Sequence, residues 1–247
     1  MLDVRSEGSV LRITLARPEV RNAFNDELIA RLTEAFTHLP DGTRVVVLSG
    51  EGKAFCAGGD LEWMRRAAAY THDENVADAL KLAGLFEAVA SSSALTLARV
   101  HGACFGGGCG LVAAADVAIA DPSTLFAFSE VRLGLIAGTI SSHVIPKIGK
   151  GHARALFATG EAFDAARALS IGLVHQVGDL DELEAATIKQ VLSVGPRALQ
   201  ESKRLVREFP LPVEECAKRL ADARAGDEGR EGVAAFLEKR KASFVQG

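Results

Sequence analysis

Leu11, Ile13 and Leu15 alternate with Arg12 and Thr14, the period-two pattern of a strand with one buried face. Val45-Val46-Val47-Leu48 is an unbroken apolar run and predicts a strand covered on both faces. Further extended runs fall at 95–100, 117–120 and 125–128. Between them the period lengthens to that of a helix. Asn25-Asp26 can cap a helix to about His38, with Leu28, Leu32 and Phe36 on one face. A second helix starts at Asp60, with Leu61, Met64 and Arg65 sharing a face. A third runs from about Asn75 to Val89, and a small-residue helix from Cys109 to Ala115.

Beyond Ile145 the strand signal shrinks to one short run, 173–177, and helical periodicity dominates from Gly151 onward. The polar stretch Arg224 to Gly232 reads as an exposed turn before a last helix, Val233 to Lys241, whose basic end suits a helix C-terminus. Strands alternating with helices, then helices alone, predict an α/β core with a helical C-terminal part.

Two glycine-bearing segments interrupt this pattern. They are Phe55-Cys56-Ala57-Gly58-Gly59-Asp60 and Phe105-Gly106-Gly107-Gly108-Cys109-Gly110. Each ends an extended run and opens a predicted helix, where backbone N–H groups lack partners. Two such junctions facing one point would form a slot for a developing oxyanion. Tight turns alone would also account for the glycines.

Composition narrows the classes. The chain has 247 residues, 48% of them hydrophobic and 24% charged, which suits one large domain. A net charge of −4 without a long basic run argues against nucleic acid as the main partner. The first residues lead straight into a strand pattern, and no apolar stretch approaches a membrane span, so a cytoplasmic protein without membrane attachment is expected. Cys56, Cys104, Cys109 and Cys216 form no CxxC pair and no metal-ligand spacing, so reduced thiols and no metal site are expected.

Several chemistries lose their motifs. Leu111 stands where a dinucleotide fingerprint needs its third glycine, and no phosphate loop or G-x-S-x-G elbow occurs. No histidine pair stands at i, i+4. Cys56 and Cys109 lie in the candidate slot with His101 as the nearest base in sequence, but small packing cysteines are the favoured reading.

Four motifs then occur in order: Arg17-Pro18-x-x-x-Asn22-Ala23-Phe24; Gly52-x-Ala54-Phe55-Cys56-Ala57-Gly58-Gly59-Asp60-Leu61; Gly106-Gly107-Gly108 with Ala113-x-Ala115-Asp116; and Phe128-Ser129-Glu130-x-x-x-Gly134. With Glu231-Gly232-x-Ala234-Ala235-Phe236 near the end, this order resembles the enoyl-CoA hydratase/isomerase family, the crotonase fold, over nearly the whole chain. Trp63-Met64, the run Ser129 to Ile136 and the run Asp227 to Gly232 are similar to bacterial members assigned to methylglutaconyl-CoA hydration in leucine breakdown, or to relatives acting on branched isoprenoid acids.

The resemblance implies an α/β spiral of β-β-α units over residues 1–190, holding the active site. It implies a helical region over 191–247 for trimerisation and a lid over coenzyme A. A homotrimer or a dimer of trimers is expected, with an acyl-CoA thioester as substrate and no cofactor beyond the coenzyme A it carries. By motif position, the N–H groups of Gly59 and Gly107 are the oxyanion donors and Glu130 is the catalytic carboxylate. Taken without the resemblance, Glu130 would read as an ion-pair partner of Arg132 or a surface acid. Arg21, Ala23, Ala57, Asp60 and Leu61 are expected to clasp the nucleotide and pantetheine, and Phe236 and Lys239 to reach a neighbouring subunit's coenzyme A.

The family's two-acid hydratases carry a second glutamate where this chain has Gly110. The expected activity is hydration, or the reverse, of a branched, carboxylated enoyl-CoA such as 3-methylglutaconyl-CoA. Two alternatives stay open: a Δ3,Δ2-enoyl-CoA isomerase using Glu130 alone, and a CoA-thioester-binding protein with little turnover. A distal carboxylate would need a cation. Arg65 is the first candidate, with Arg66, Arg132, His143 and Lys147 behind it. A glutamate placed at 110 is expected to improve hydration of crotonyl-CoA if the missing acid limits the rate.

Overall fold

A computed structural model describes residues 1–246. The chain opens with an antiparallel hairpin, β1 (Leu2–Glu7) and β2 (Val10–Leu15). Helix α1 (Asp26–Thr37) follows, capped by Asn25, whose side chain accepts from the N–H of Leu28, and it buries Leu28, Ile29, Leu32 and Phe36. The chain then repeats a unit of two strands and a helical return. The first unit is β3 (Val45–Gly50) and β4 (Ala54–Cys56), followed by α2 (Leu61–Ala67) and α3 (His72–Ser91). The second is β5 (Leu95–Val100), β6 (Ala103–Phe105) and α4 (Gly107–Ala114). The third is β7 (Val117–Ala120), β8 (Leu125–Ala127) and α5 (Gly138–Thr159), the last broken by a non-helical Gly149. Strand β9 (Ala162–Asp164), α6 (Ala165–Ser170) and β10 (Gln176–Val177) close the spiral.

Each unit gives one strand to each of two sheets. The larger runs β1-β2-β3-β5-β7-β10, parallel after the first hairpin. The smaller runs β4-β6-β8-β9, with only β9 antiparallel. This is the α/β crotonase spiral. The valine run of β3 is buried on both faces, as its unbroken pattern requires, because α-helices and the second sheet cover opposite sides. Helix α4 is hydrophobic all round, and every residue from Gly108 to Ala114 is buried. It lies inside the molecule with α3 and α5 against it.

Four helices complete the chain: α7 (Leu180–Leu192), α8 (Pro196–Glu208), α9 (Val213–Ala225) and α10 (Asp227–Leu237). Buried Arg44 holds this end to the spiral, donating to the carbonyls of Val191, Leu192, Val194 and Phe244.

Three expectations need correction. The expected turn 224–232 is mostly helix, since α9 and α10 are separated at Gly226. Gly229 imitates a turn in sequence, yet a Cβ there would stand 2.1 Å from the carbonyl oxygen of Ala223, so the glycine permits close packing. The last helix ends at Leu237, and Lys239 adopts φ 56° beyond it, so Lys239, Arg240 and Lys241 follow the helix rather than form its last turn. Finally, β9 lies beyond Ile145, where only one strand was expected; at three residues it is too short to display a period. Among the described residues, no helix is long and apolar enough to cross a membrane, and no cluster of His, Cys, Asp and Glu suits a metal.

Candidate active site

Strands β4, β6 and β8 lie side by side and parallel, so their C-terminal ends share one edge. Those ends deliver Ala57-Gly58-Gly59, Gly106-Gly107-Gly108 and Ser129-Glu130 to one place. A crevice at the carboxyl ends of parallel strands is where α/β folds bind ligands. Gly58 and Gly106 meet there, both with positive φ (96° and 51°), which only glycine adopts without strain.

The N–H groups of Gly59 and Gly107 donate to no described residue. Gly107 opens α4, whose dipole places positive potential at this end. A parallel bridge between Phe24 and Gly59 fixes the first segment. The N–H of Phe24 donates to the Gly58 carbonyl at 2.8 Å, and the N–H of Asp60 to the Phe24 carbonyl at 2.8 Å. Ala57 donates to the Arg21 carbonyl at 3.0 Å, so the segments Arg21–Ala23 and Ala57–Leu61 lie together. The second segment is fixed by close packing: a Cβ on Gly107 would stand 2.8 Å from Phe24 Cε2, and one on Gly108 2.5 Å from the Cys56 carbonyl oxygen.

Glu130 opens a short 3-10 turn, 130–133, and its carboxyl points at the glycine triplet. A Cβ on Gly106 would lie 3.3 Å from Glu130 Oε1. The other oxygen, Oε2, is buried with no hydrogen-bond partner. Burial pushes this carboxyl above its ordinary range, only partly offset by its own backbone N–H. An unpaired buried carboxyl oxygen costs stability and is open to another partner. No ion pair joins it to Arg132, whose Nε donates to the Gly160 carbonyl at 2.8 Å.

The remaining candidates lie in different surroundings. Asp60 is buried and supports the backbone. Its Oδ1 caps α2 through the N–H groups of Glu62 and Trp63, and its Oδ2 pairs with Arg17 Nη2 at 2.7 Å. Burial pushes the Asp60 carboxyl up, but Arg17 and the two N–H groups outweigh it and hold the carboxyl below its ordinary range. Arg21 is exposed in a left-handed conformation, φ 55°, and Leu61 is exposed. Arg65 pairs with Glu62 and is 76% exposed, and Arg66 pairs with Asp26 at 2.6 Å. Lys147 donates to backbone carbonyls at the C-terminal end of α4. Phe236 and Lys239 are exposed in this single chain.

The cysteine nucleophile is ruled out by geometry. Cys56, Cys104 and Cys109 are fully buried, and burial pushes the Cys56 thiol up to about 12. His101 Nε2 faces the Gly52 carbonyl at 3.0 Å, not a thiol.

Two supporting residues sat in a motif without an assigned role. Arg17 Nη1 holds the Ala23 carbonyl, and buried Asn22 donates to the carbonyls of Glu51 (2.9 Å) and Ala54 (2.8 Å) while accepting from the Arg17 N–H (2.8 Å). Their signal was the spacing Arg17-Pro18-x-x-x-Asn22. Trp63 and Met64 wall the first segment, with a Cβ on Gly59 reaching Met64 Cγ at 3.3 Å and Trp63 Cζ3 at 3.4 Å.

Position 110 is closed. It is fully enclosed in α4, and a Cβ there would stand 2.5 Å from Ile140 Cγ2 and 2.8 Å from Phe86 Cε1. The space that a second acid would need is filled with hydrocarbon.

Residues 5–247 match the family described as enoyl-CoA hydratase/isomerase. A crotonyl-CoA hydratase of Syntrophomonas wolfei is 32% identical over 98% of this chain and 96% of its own length. Among solved structures, Pseudomonas aeruginosa AtuE superposes with a TM-score of 0.96 at 33% identity, covering 99% of both chains. An enoyl-CoA hydratase from Shewanella pealeana gives 0.95 at 34% identity, covering 98% of this chain and 95% of that one.

Proposed function

The chain belongs to the enoyl-CoA hydratase/isomerase family, and on that premise we propose that it adds water across the double bond of an enoyl-CoA, or removes it, with Glu130 as its one acid–base group. The observation that carries this reading is the Glu130 carboxyl beside the glycine triplet, with its Oε2 buried and without a hydrogen-bond partner, at the strand edge where the N–H groups of Gly59 and Gly107 donate to no described residue. In hydration, the Glu130 carboxylate takes a proton from water as its oxygen bonds to Cβ of the substrate. The C=C electron pair moves through Cα to the thioester oxygen. The N–H groups of Gly59 and Gly107 receive that negative charge, each contributing about 3 kcal/mol by comparison with other oxyanion donors. The enolate then collapses, and Glu130 returns its proton to Cα. Both bonds form on one face of the substrate, so one carboxyl suffices.

A second reading has its own support. With position 110 closed, a single carboxyl is the economical machinery for moving a proton between C2 and C4 of a 3-enoyl-CoA. The finer proposal for substrate is a branched, carboxylated acyl group. Arg65 and Arg66 are engaged in ion pairs, whereas neither terminal nitrogen of Arg132 has a partner among the described residues, two positions from Glu130. Arg132 therefore replaces Arg65 as the proposed receiver of a distal carboxylate.

We also propose that the helices after residue 191 join copies of the chain into a trimer or a dimer of trimers. Val233, Phe236 and Leu237 present an apolar face on α10, and Phe236 is 82% exposed in the single chain. Phe236 and Lys239 would then approach a neighbouring copy's coenzyme A, and Arg21, Ala23, Ala57 and Leu61 the ligand of their own copy.

One assay tests the reaction. The protein is incubated separately with 3-methylglutaconyl-CoA, crotonyl-CoA and a 3-enoyl-CoA, and products are weighed by mass spectrometry. Gain of water supports hydration, and its strong preference for the first substrate supports the finer reading. A mass-neutral shift to the conjugated thioester supports isomerisation. Binding without turnover of any of them overturns both.

A further inference from the structure

Lys147 stands at the opposite end of α4 from Gly107. Its Nζ donates to the carbonyls of Val112 (2.9 Å), Ala113 (3.4 Å) and Ala115 (2.9 Å), the orphan acceptors of the helix C-terminus. Helix α4 has eight residues, so the ammonium lies about 12 Å from the Gly107 N–H along the axis. The path between them is protein interior, since Gly108 to Ala114 are all buried, and the interaction is poorly screened.

The surroundings leave the charge in excess. Asp116 faces Lys147 from the turn after α4, but its Oδ2 is taken by Lys203 Nζ at 2.6 Å and by the N–H and hydroxyl of Thr96. Lys203 also donates to the carbonyls of Ser92 and Ala94. His175, before β10, and His143, on α5 itself, face the same ammonium, and both are shifted toward the neutral form, first by burial and also by Lys147. Two lysines against one aspartate leave a net positive charge where the helix dipole is negative.

We propose that Lys147 is a positioning residue for the reaction: by holding a positive charge on the α4 C-terminus it removes the opposing end of the helix dipole and strengthens the field at the Gly107 N–H. The effect is electrostatic and exceeds the structural value of a cap. It rests on the reading of Gly107 as an oxyanion donor. A neutral donor at 147 leaves the helix closed but weakens enolate binding, costing about three- to tenfold in enolate stabilisation.

The test uses a 3-ketoacyl-CoA, whose enolate absorbs in the near ultraviolet, bound to the full chain and titrated by pH. Wild type is expected to lower the apparent pKa of the bound ligand below that of the free one. Lys147→Gln, which keeps N–H donors without charge, raises it by about 0.5–1 pH unit relative to wild type, and Lys147→Arg restores it. If wild type leaves the ligand's pKa unchanged, the oxyanion reading itself fails, and this inference with it. If wild type lowers it and Lys147→Gln lowers it equally, only the inference is overturned. Should Lys147→Gln not fold, wild type and Lys147→Arg decide. Burial pulls the Lys147 ammonium down to about 8, so wild-type kcat should fall on that alkaline limb while Lys147→Arg stays flat. Superimposable profiles overturn the proposal.

Discussion

Gly110 and Ile140 are so close that a Cβ on the glycine would lie 2.5 Å from the isoleucine Cγ2, with Phe86 at 2.8 Å closing the other side. The expectation that a glutamate at 110 would improve hydration therefore meets a steric obstacle. Gly110→Ala is expected to lower stability by about 1–3 kcal/mol through overpacking, although alanine favours the helix intrinsically. Gly110→Glu should cost more and gain no crotonyl-CoA hydration. A wild-type melting temperature together with faster hydration in Gly110→Glu would refute this.

Glu130→Gln keeps the shape of the carboxyl and removes its basicity. Turnover should fall by about 100- to 10,000-fold, the usual worth of a general acid–base. Affinity for a coenzyme A thioester should change little, because its other contacts remain. Retention of more than a tenth of wild-type kcat would remove Glu130 from the reaction.

The same substitution tests the burial of that carboxyl through stability. Its folded pKa is raised, so the folded state binds more protons than the unfolded state between the two pKa values. The charge penalty is absent below the unfolded value, grows as pH rises, and is fully present above the folded pKa. Glu130→Gln should thus melt higher than wild type at pH 8, with the gap closing as pH falls below about 4.5. A gap independent of pH would show that the carboxyl is not desolvated.

Arg17 and Asp60 pair at 2.7 Å with side chains 12% and 11% exposed, joining the turn before Pro18 to the start of α2. Removing one partner leaves the other charge buried. Arg17→Met should cost about 3 kcal/mol, measured by urea denaturation, and should lower kcat more than it raises KM, since it loosens the segment that presents the proposed Gly59 donor to the enolate. The Asp60 carboxyl is held low, so its contribution is present above the unfolded value and is lost as pH falls through the folded pKa. The stability gap between wild type and Arg17→Met should narrow in acid; a constant gap would contradict the pairing.

Much of the candidate site was legible in the sequence because its backbone parts are local. The glycines at 58–59 and 106–108 mark strand-to-helix junctions, a signal that backbone chemistry dictates within a few residues, whereas Glu130 after its apolar run stood out only through the motif order. Short or exposed elements were harder to read. Strand β9 offers three residues, and Gly229 looks like a turn until the packing of α9 against α10 is seen.

The sequence by itself determined the alternation of strands and helices, the supply of glycines where N–H groups stay free, and the motif order that marks the family. Only the tertiary structure decided what surrounds them. Parallel pairing of β4, β6 and β8 put three separate strand ends at one edge, Phe86 and Ile140 closed position 110, and α5 carried Lys147 to the far end of α4. Those are contacts between residues tens of positions apart, set by packing volume and by the register of distant strands, and no local period records them.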